Sequence, residues 1–323
     1  MKHPLLILLV ATTMAVVMLP ARAADKLVLR VGHFPNITHV QALVANALSR
    51  QGKGWFEQRL GPDIAIQWYS YNAGPSATEG ILAGTIDMTY VGPSPAINAY
   101  ARSGGREIRI ISGAANGGTA LVVQPDESLK TAADFRGKKI ATPQLGNTQD
   151  ISCRAWLSAG GLKITQLGGD AQVVPTENPD QLALFKLKQI DAAWTVEPWV
   201  SRLEMEAGGK AIVEEKDTTI TVLVTGVKFL TEHKDIVSKF VAAHRELTEW
   251  IQQHPDEAQK LVQYELNAET RGKISPALIA HAWPRIILTN DVSRDGLDKF
   301  VANARAAGFL RQVPDLSQLL VQP

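Results

Sequence analysis

The same order of strand, turn and helix appears twice in this chain, and that repeat restricts the fold more than any other feature of the sequence. In the first half, residues 27–31 read as a strand and 32–38 as a loop. Residues 40–48 read as a helix with apolar side chains at Val40, Leu43, Val44, Ala47 and Leu48. Residues 64–71 alternate apolar and polar side chains, as a second strand does. Asn72, Gly74 and Pro75 open a helix over 77–83 that stops at Gly84. A strand over 85–91, a Gly92-Pro-Ser-Pro95 opening with a helix to Tyr100, and a strand over 109–112 follow. In the second half, the strand 138–141 matches 29–32, the loop around Asn178 matches the loop around Asn72, and Ile190-Asp191 matches Ile86-Asp87. The offsets drift only as loops allow: 141 − 32 = 109, 178 − 72 = 106 and 191 − 87 = 104. Two lobes of one βα design account for this.

Strands that alternate with helices predict an α/β fold in which a mostly parallel sheet is flanked by helices. Ligands of such sheets bind outside the carboxyl ends of the strands. The stretch 141–150, ATPQLGNTQD, lies at such an end. It contains residues that make turns and helix caps, so it exposes backbone N–H groups and the positive end of a helix dipole, a place for an anion or a polar ligand. Residues 117–123, which begin with Gly117 and Gly118, and the β-branched run 218–225 are placed to carry the chain between the lobes and back, which makes a hinge of two crossings. The remainder is helical, over 234–251, 256–266, 277–283 and 294–307, with Trp250 and Trp283 as core residues.

The first 23 residues are read as a leader rather than as structure. Lys2 and His3 precede an apolar run from Leu5 to Leu19, and Ala21-Arg-Ala23 supplies a cleavage site. The run is shorter than the ~20 residues of a spanning helix. Export is the expectation, with a mature charge of +1 − 2 = −1 after loss of Lys2 and Arg22. A net charge of +1 without a basic run gives nucleic acid no footprint. The single cysteine, Cys153, allows no internal disulfide and no cysteine-based zinc site, and is read as a small apolar core residue. His33 and His39, six residues apart across a turn, do not form a helix-borne metal pair and are read as polar loop residues. Neither a G-x-S-x-G elbow nor a phosphate-binding G-x-x-x-x-G-K-[ST] loop is present.

The leader, Val31-Gly-His-Phe34, Ala83-Gly-Thr-Ile-Asp87, Val91-Gly-Pro-Ser-Pro95, Ile140-Ala-Thr-Pro-Gln144 and Glu197-Pro-Trp199 together resemble the periplasmic solute-binding proteins of the nitrate, sulfonate, taurine and bicarbonate class of ABC transporters. The resemblance implies a two-lobed type II periplasmic binding protein, with lobe 1 at 24–120 and 222–323 and lobe 2 at 121–221. It further implies a monomer without cofactor or metal that captures a small oxyanion, an aliphatic sulfonate, taurine or nitrate, and docks on a permease driven by an ATPase. By position the cleft takes His33, Phe34, Asn36, Gly74, Ser76, Ala77, Gly92 and Ser94 from the first lobe. The second lobe contributes Gln144, Asn147, Thr148, Gln149, Trp194 and Glu197. Ser76, Ser94, Asn147 and Thr148 suit an oxyanion, whereas Glu197 either repels one or acts only at the start of its own helix. No arginine lies in the cleft loops, so no bidentate clamp is evident, and Arg154 is the nearest cation. The alternatives are another small organic ligand held by the same fold, a receptor-linked sensor, and an enzyme similar to the thiamine pyrimidine synthases. The leader and the single cysteine weigh against the enzyme.

Overall fold

The computed structural model describes residues 26–126, 128–270, 272–312 and 315–323; the leader expected over 1–23 lies outside them. Strands β1 (Leu27–His33), β2 (Ile64–Ser70), β3 (Met88–Val91) and β4 (Ile108–Gly117) alternate with helices α1 (Val40–Arg50), α2 (Trp55–Leu60), α3 (Gly74–Leu82) and α4 (Pro93–Arg102). The second part runs β5 (Thr119–Val123), β6 (Lys139–Thr142), α5 (Thr148–Ala159), β7 (Ile164–Thr165), β8 (Gly168–Gly169), β9 (Gln172–Pro175) and α6 (Asn178–Lys186). It closes with β10 (Ala192–Val196), α7 (Trp199–Ala207) and β11 (Lys210–Glu214). Strand β12 (Thr219–Gly226) then leads to α8 (Val227–Glu232), α9 (Lys234–Gln253), α10 (Pro255–Thr270), α11 (Pro276–Ala282), β13 (Ile286–Leu288) and α12 (Arg294–Ala306). No described helix is long and apolar enough to cross a membrane.

Two main sheets result, ordered β13-β4-β12-β3-β1-β2 and β11-β5-β10-β6-β9. The parallel ladders β2-β1-β3 and β9-β6-β10 are the repeat seen in the sequence. The strands that adjoin the crossings, β12 and β5, run antiparallel to β3 and β10, so each sheet is mixed beyond its three parallel strands. The crossing at Gly117 and Gly118 requires glycine, because φ is +74° and +70° there.

The two Ile-Asp pairs do the same work in both sheets. Asp87 accepts the Arg30 backbone N–H at 2.8 Å, and Asp191 accepts that of Lys139 at 2.7 Å. The Asp87 and Asp191 amides donate in return to the Arg30 and Lys139 carbonyls. Each aspartate thus ties one parallel strand, at Arg30 within β1 and at Lys139 at the start of β6, to the turn before its neighbour. Because Asp87 is spent in this turn, β3 begins at Met88 rather than at 85 as expected, and β4 runs past the expected 112 to Gly117.

Four apolar clusters fill the space between the sheets and their helices. The largest joins α1, α2, α9, α10 and α11 on one face of the first sheet, with Phe56 stacked on Phe240 at 4.0 Å. Trp250 and Trp283 pack against this cluster.

Candidate functional site

All six parallel strands among the described residues end on one narrow cavity between the two sheets, with a volume of about 20 Å³. The turn after β1 contributes Phe34, Asn36, Thr38 and His39, the turn after β2 contributes Asn72, Ala73 and Gly74, and β3 leads to Gly92 and Pro95. From the second sheet, β6 leads to Pro143 and to Asn147, Thr148 and Gln149, β9 to Asn178, and β10 ends at Val196. Ile220, on β12, completes the wall.

Helix starts dominate this surface. Ala73, Gly92 and Asn147 are the N-cap residues of α3, α4 and α5, and Asn178 is the first residue of α6. The amides of Gly74, Ser76, Ser94, Thr148 and Gln149 have no hydrogen-bond partner among the described residues. They are orphan donors of helix first turns, and each dipole adds about half a positive charge at its end. Among the described residues, no Asp, Glu, Lys or Arg lines the cavity. Asn147 is spent on its own helix, since its Oδ1 accepts the Asp150 amide at 2.8 Å and its side-chain amide donates to Gln149 at 3.0 Å. The Thr148 hydroxyl, 2 % exposed, has no partner among the described residues. It stands against Gly92 of the opposite lobe, where an added Cβ would lie 2.2 Å from it.

Of the residues expected in the cleft, Phe34, Asn36, Gly74, Gly92, Asn147, Thr148 and Gln149 line the cavity. Ser76 and Gln144 stand at its rim and bond to each other across the lobes, with the Gln144 amide donating at 3.0 Å. Ser94 is buried with its hydroxyl unpartnered among the described residues, and Ala77 belongs to the apolar core beneath α3. Trp194 does not line the cavity; it lies in the core of the second sheet, edge-on to Trp156 at 5.8 Å. Arg154 is folded under the α5 loop, where it bonds Asp150 at 3.0 Å and the Thr165 and Val173 carbonyls.

Glu197 is fully buried and faces away from the cavity lining. Its carboxylate accepts the Ser201 amide at 3.1 Å and the Ser201 hydroxyl at 2.9 Å, which is the local helix-start role, and Arg285 at 3.0 Å. Burial pushes its pKa up, while Ser201 and Arg285 pull it down.

His33 sits behind the cavity, bonded to Glu269 at 2.6 Å and to the Tyr69 carbonyl at 3.3 Å. The Tyr69 carbonyl can only accept, so Nδ1–H donates to it, Nε2 accepts, and the protonated Glu269 carboxyl donates to Nε2. Burial, followed by the neighbouring Glu265, pushes Glu269 up to about 8, and burial pushes His33 down to about 3. A carboxyl with a raised folded-state pKa holds its proton more tightly folded than unfolded, so its contribution falls as pH rises from about 4.5 to about 8. His33 opposes this below pH 6.5, which leaves the window from 6.5 to 8 for Glu269. In that window Glu269→Gln removes a slope of at most about 1.4 kcal/mol per pH unit from the urea-unfolding free energy. Equal slopes in the two proteins would show that Glu269 is ionised throughout.

His39, Asn72, Asn178, Val196 and Ile220 were not expected in the cleft. The repeat itself signalled Asn72 and Asn178, which occupy equivalent turns, whereas nothing in the local sequence marks Ile220. Among the described residues no group of three His, Cys, Asp or Glu side chains is placed to hold a metal ion.

Comparison with known proteins agrees with this architecture. The model of the NMT1-like family matches residues 22–266. A protein of Bacillus subtilis (strain 168), provisionally named an aliphatic sulfonates-binding protein, is 27% identical over 229 residues, 69% of this chain and 67% of the relative. The alkanesulfonate-binding protein SsuA of Xanthomonas axonopodis pv. citri, solved bound to MOPS, superposes with a TM-score of 0.75 at 19% identity, covering 93% of this chain and 100% of that one. The periplasmic nitrate-binding protein NrtA of Synechocystis PCC 6803 gives 0.72 at 14% identity, covering 90% and 84%. The fold is the two-lobed fold of the periplasmic binding proteins.

Proposed function

The chain belongs to the NMT1-like family, and from that premise we propose that it is the periplasmic solute-binding component of an ABC importer for a small oxyanion. The observation that carries this reading is the convergence of four helix starts, with amides unbonded among the described residues, on a cavity to which those residues contribute no Asp, Glu, Lys or Arg. Such a surface stabilises negative charge without a counter-ion. Relatives named for sulfonate and nitrate binding set the ligand range. Within it, a sulfonate or nitrate suits the cavity better than taurine, whose ammonium group meets no lining carboxylate. The apolar wall of Phe34, Pro95, Pro143, Val196 and Ile220 suits a short alkyl substituent.

In this reading the hinges are Gly117–Gly118 and 215–218, so β5 (Thr119–Val123) falls wholly in the second lobe and β12 (Thr219–Gly226) wholly in the first, two to three residues from the expected bounds at 120/121 and 221/222. The ligand draws the lobes together, and the closed form presents itself to the permease. Cys153 supports binding rather than catalysis, because its buried thiol is held well above the ordinary range and lies in the apolar core of the second sheet. A thermal-shift panel tests the reading. Nitrate or short alkanesulfonates at 100 times Kd should stabilise the protein by about 2.7 kcal/mol, and Thr148→Val should weaken that ligand about tenfold or more by removing a buried hydroxyl donor. Stabilisation by neutral pyrimidines alone, or an unchanged affinity in Thr148→Val, would contradict it.

A further inference from the structure

We propose that His39 is a ligand contact whose Nε2–H donates a hydrogen bond to the bound anion from the first lobe, opposite the α5 helix start. This rests on the anion-binding reading and assigns to His39 a role in it that the motifs of the chain do not suggest.

Three observations carry it. First, His39 lines the cavity and is only 2 % exposed, so its free polar atom has little to meet except what fills that space. Second, Nδ1 accepts the Phe34 backbone N–H at 3.4 Å, which fixes the neutral tautomer with its proton on Nε2. Third, Nε2 has no hydrogen-bond partner among the described residues, although the ring is held on two sides. It packs on Phe34 with ring centroids 4.3 Å apart and meets Tyr90 edge-on at 6.4 Å. An unpaired donor in the wall of a nearly closed cavity has only the contents of that cavity to bond, so a bound acceptor gains a ready hydrogen bond.

The surroundings keep the ring uncharged. Burial lowers its pKa well below 6.5, and His33, at the end of β1, lowers it further. Tyr90 on β3 gives its hydroxyl to His244 on α9 at 3.0 Å, and that pair supplies no charge either, since burial raises the phenol and lowers the imidazole. His39 therefore acts as a dipolar donor, like the helix amides facing it, and affinity carries no histidine titration.

The test compares wild type, His39→Phe and His39→Gln by calorimetric titration with methanesulfonate and with nitrate, from pH 5.5 to 8.5. Phenylalanine keeps the stacking on Phe34 and Tyr90 but removes the donor; glutamine restores a donor. For whichever anion wild type binds, His39→Phe should weaken binding about 10- to 100-fold, the loss of one hydrogen bond to a charged group. His39→Gln should recover a substantial part of it, the wild-type affinity should stay flat with pH, and the unfolding midpoints should match. Unchanged binding in His39→Phe overturns the assignment and leaves the anion reading standing. An affinity that strengthens as pH falls through 6.5 also overturns it, because the ring would then act as a cation. Failure of wild type to bind either anion overturns the underlying reading instead.

Discussion

Gly92→Val should abolish ligand capture while leaving a folded protein. Gly92 has φ −68° and ψ 154°, a conformation open to any residue, so the substitution carries no backbone strain. What it lacks is room. A Cβ at position 92 would lie 2.2 Å from the Thr148 hydroxyl, 3.3 Å from the Thr148 Cβ and 3.6 Å from the Ile220 carbonyl. The first two atoms belong to the opposite sheet's helix start, so valine wedges the two halves apart at the point where they meet. Thr148 can rotate away from a single methyl group, which makes Gly92→Ala the milder change; the branched side chain leaves it nowhere to go. Calorimetry should show Kd raised by about 100-fold or more in Gly92→Val. Small-angle scattering should show no compaction at saturating ligand. Wild-type affinity in Gly92→Val would mean that the lobes do not close through this contact.

Arg285→Ala should produce the largest loss of stability. Arg285, between α11 and β13, reaches from the C-terminal segment to three carboxylates of the second part: Glu197 at 3.0 Å, Glu204 at 2.9 Å and Glu214 at 3.5 Å. Glu197 is fully buried, so loss of its cation leaves an uncompensated charge; breaking such a pair costs about 3–5 kcal/mol. The carboxyl escapes part of this by taking up a proton, so the loss measured in urea should be smaller at pH 5 than at pH 8. Pairing the change with Glu197→Gln should recover part of it, because glutamine still accepts the Ser201 amide without carrying a charge. An Arg285→Ala protein as stable as wild type at pH 8 would show that solvent reaches Glu197.

Much of this arrangement can be read from the residues alone, because the repeat is made of local signals. Turn residues after β1, β2, β3 and β6 placed Phe34, Asn36, Gly74, Gly92 and the 147–149 helix start on the cavity, since a strand's carboxyl end is legible from the strand itself. Expected residues fall away from the cavity where the deciding partner is distant in sequence or where alternation falls silent. Strand β10 is buried at all five residues, so it shows no inward and outward faces, and Trp194 packs in the core rather than lining the cavity. The environment of Glu197 depends on Arg285, 88 residues away, and that of His33 on Glu269, 236 residues away. Ile220 reaches the cavity only because β12 returns to the first sheet between β3 and β4.

The central claim, that the cavity is built for an anion without a counter-ion, is tested most directly by an isosteric pair. Calorimetric titration of ligand-free protein with methanesulfonate and with dimethyl sulfone compares nearly the same shape with and without charge. Charge-assisted hydrogen bonds and several helix dipoles should favour the anion by about 100-fold or more. Equal affinities, or tighter binding of the sulfone, would contradict the claim.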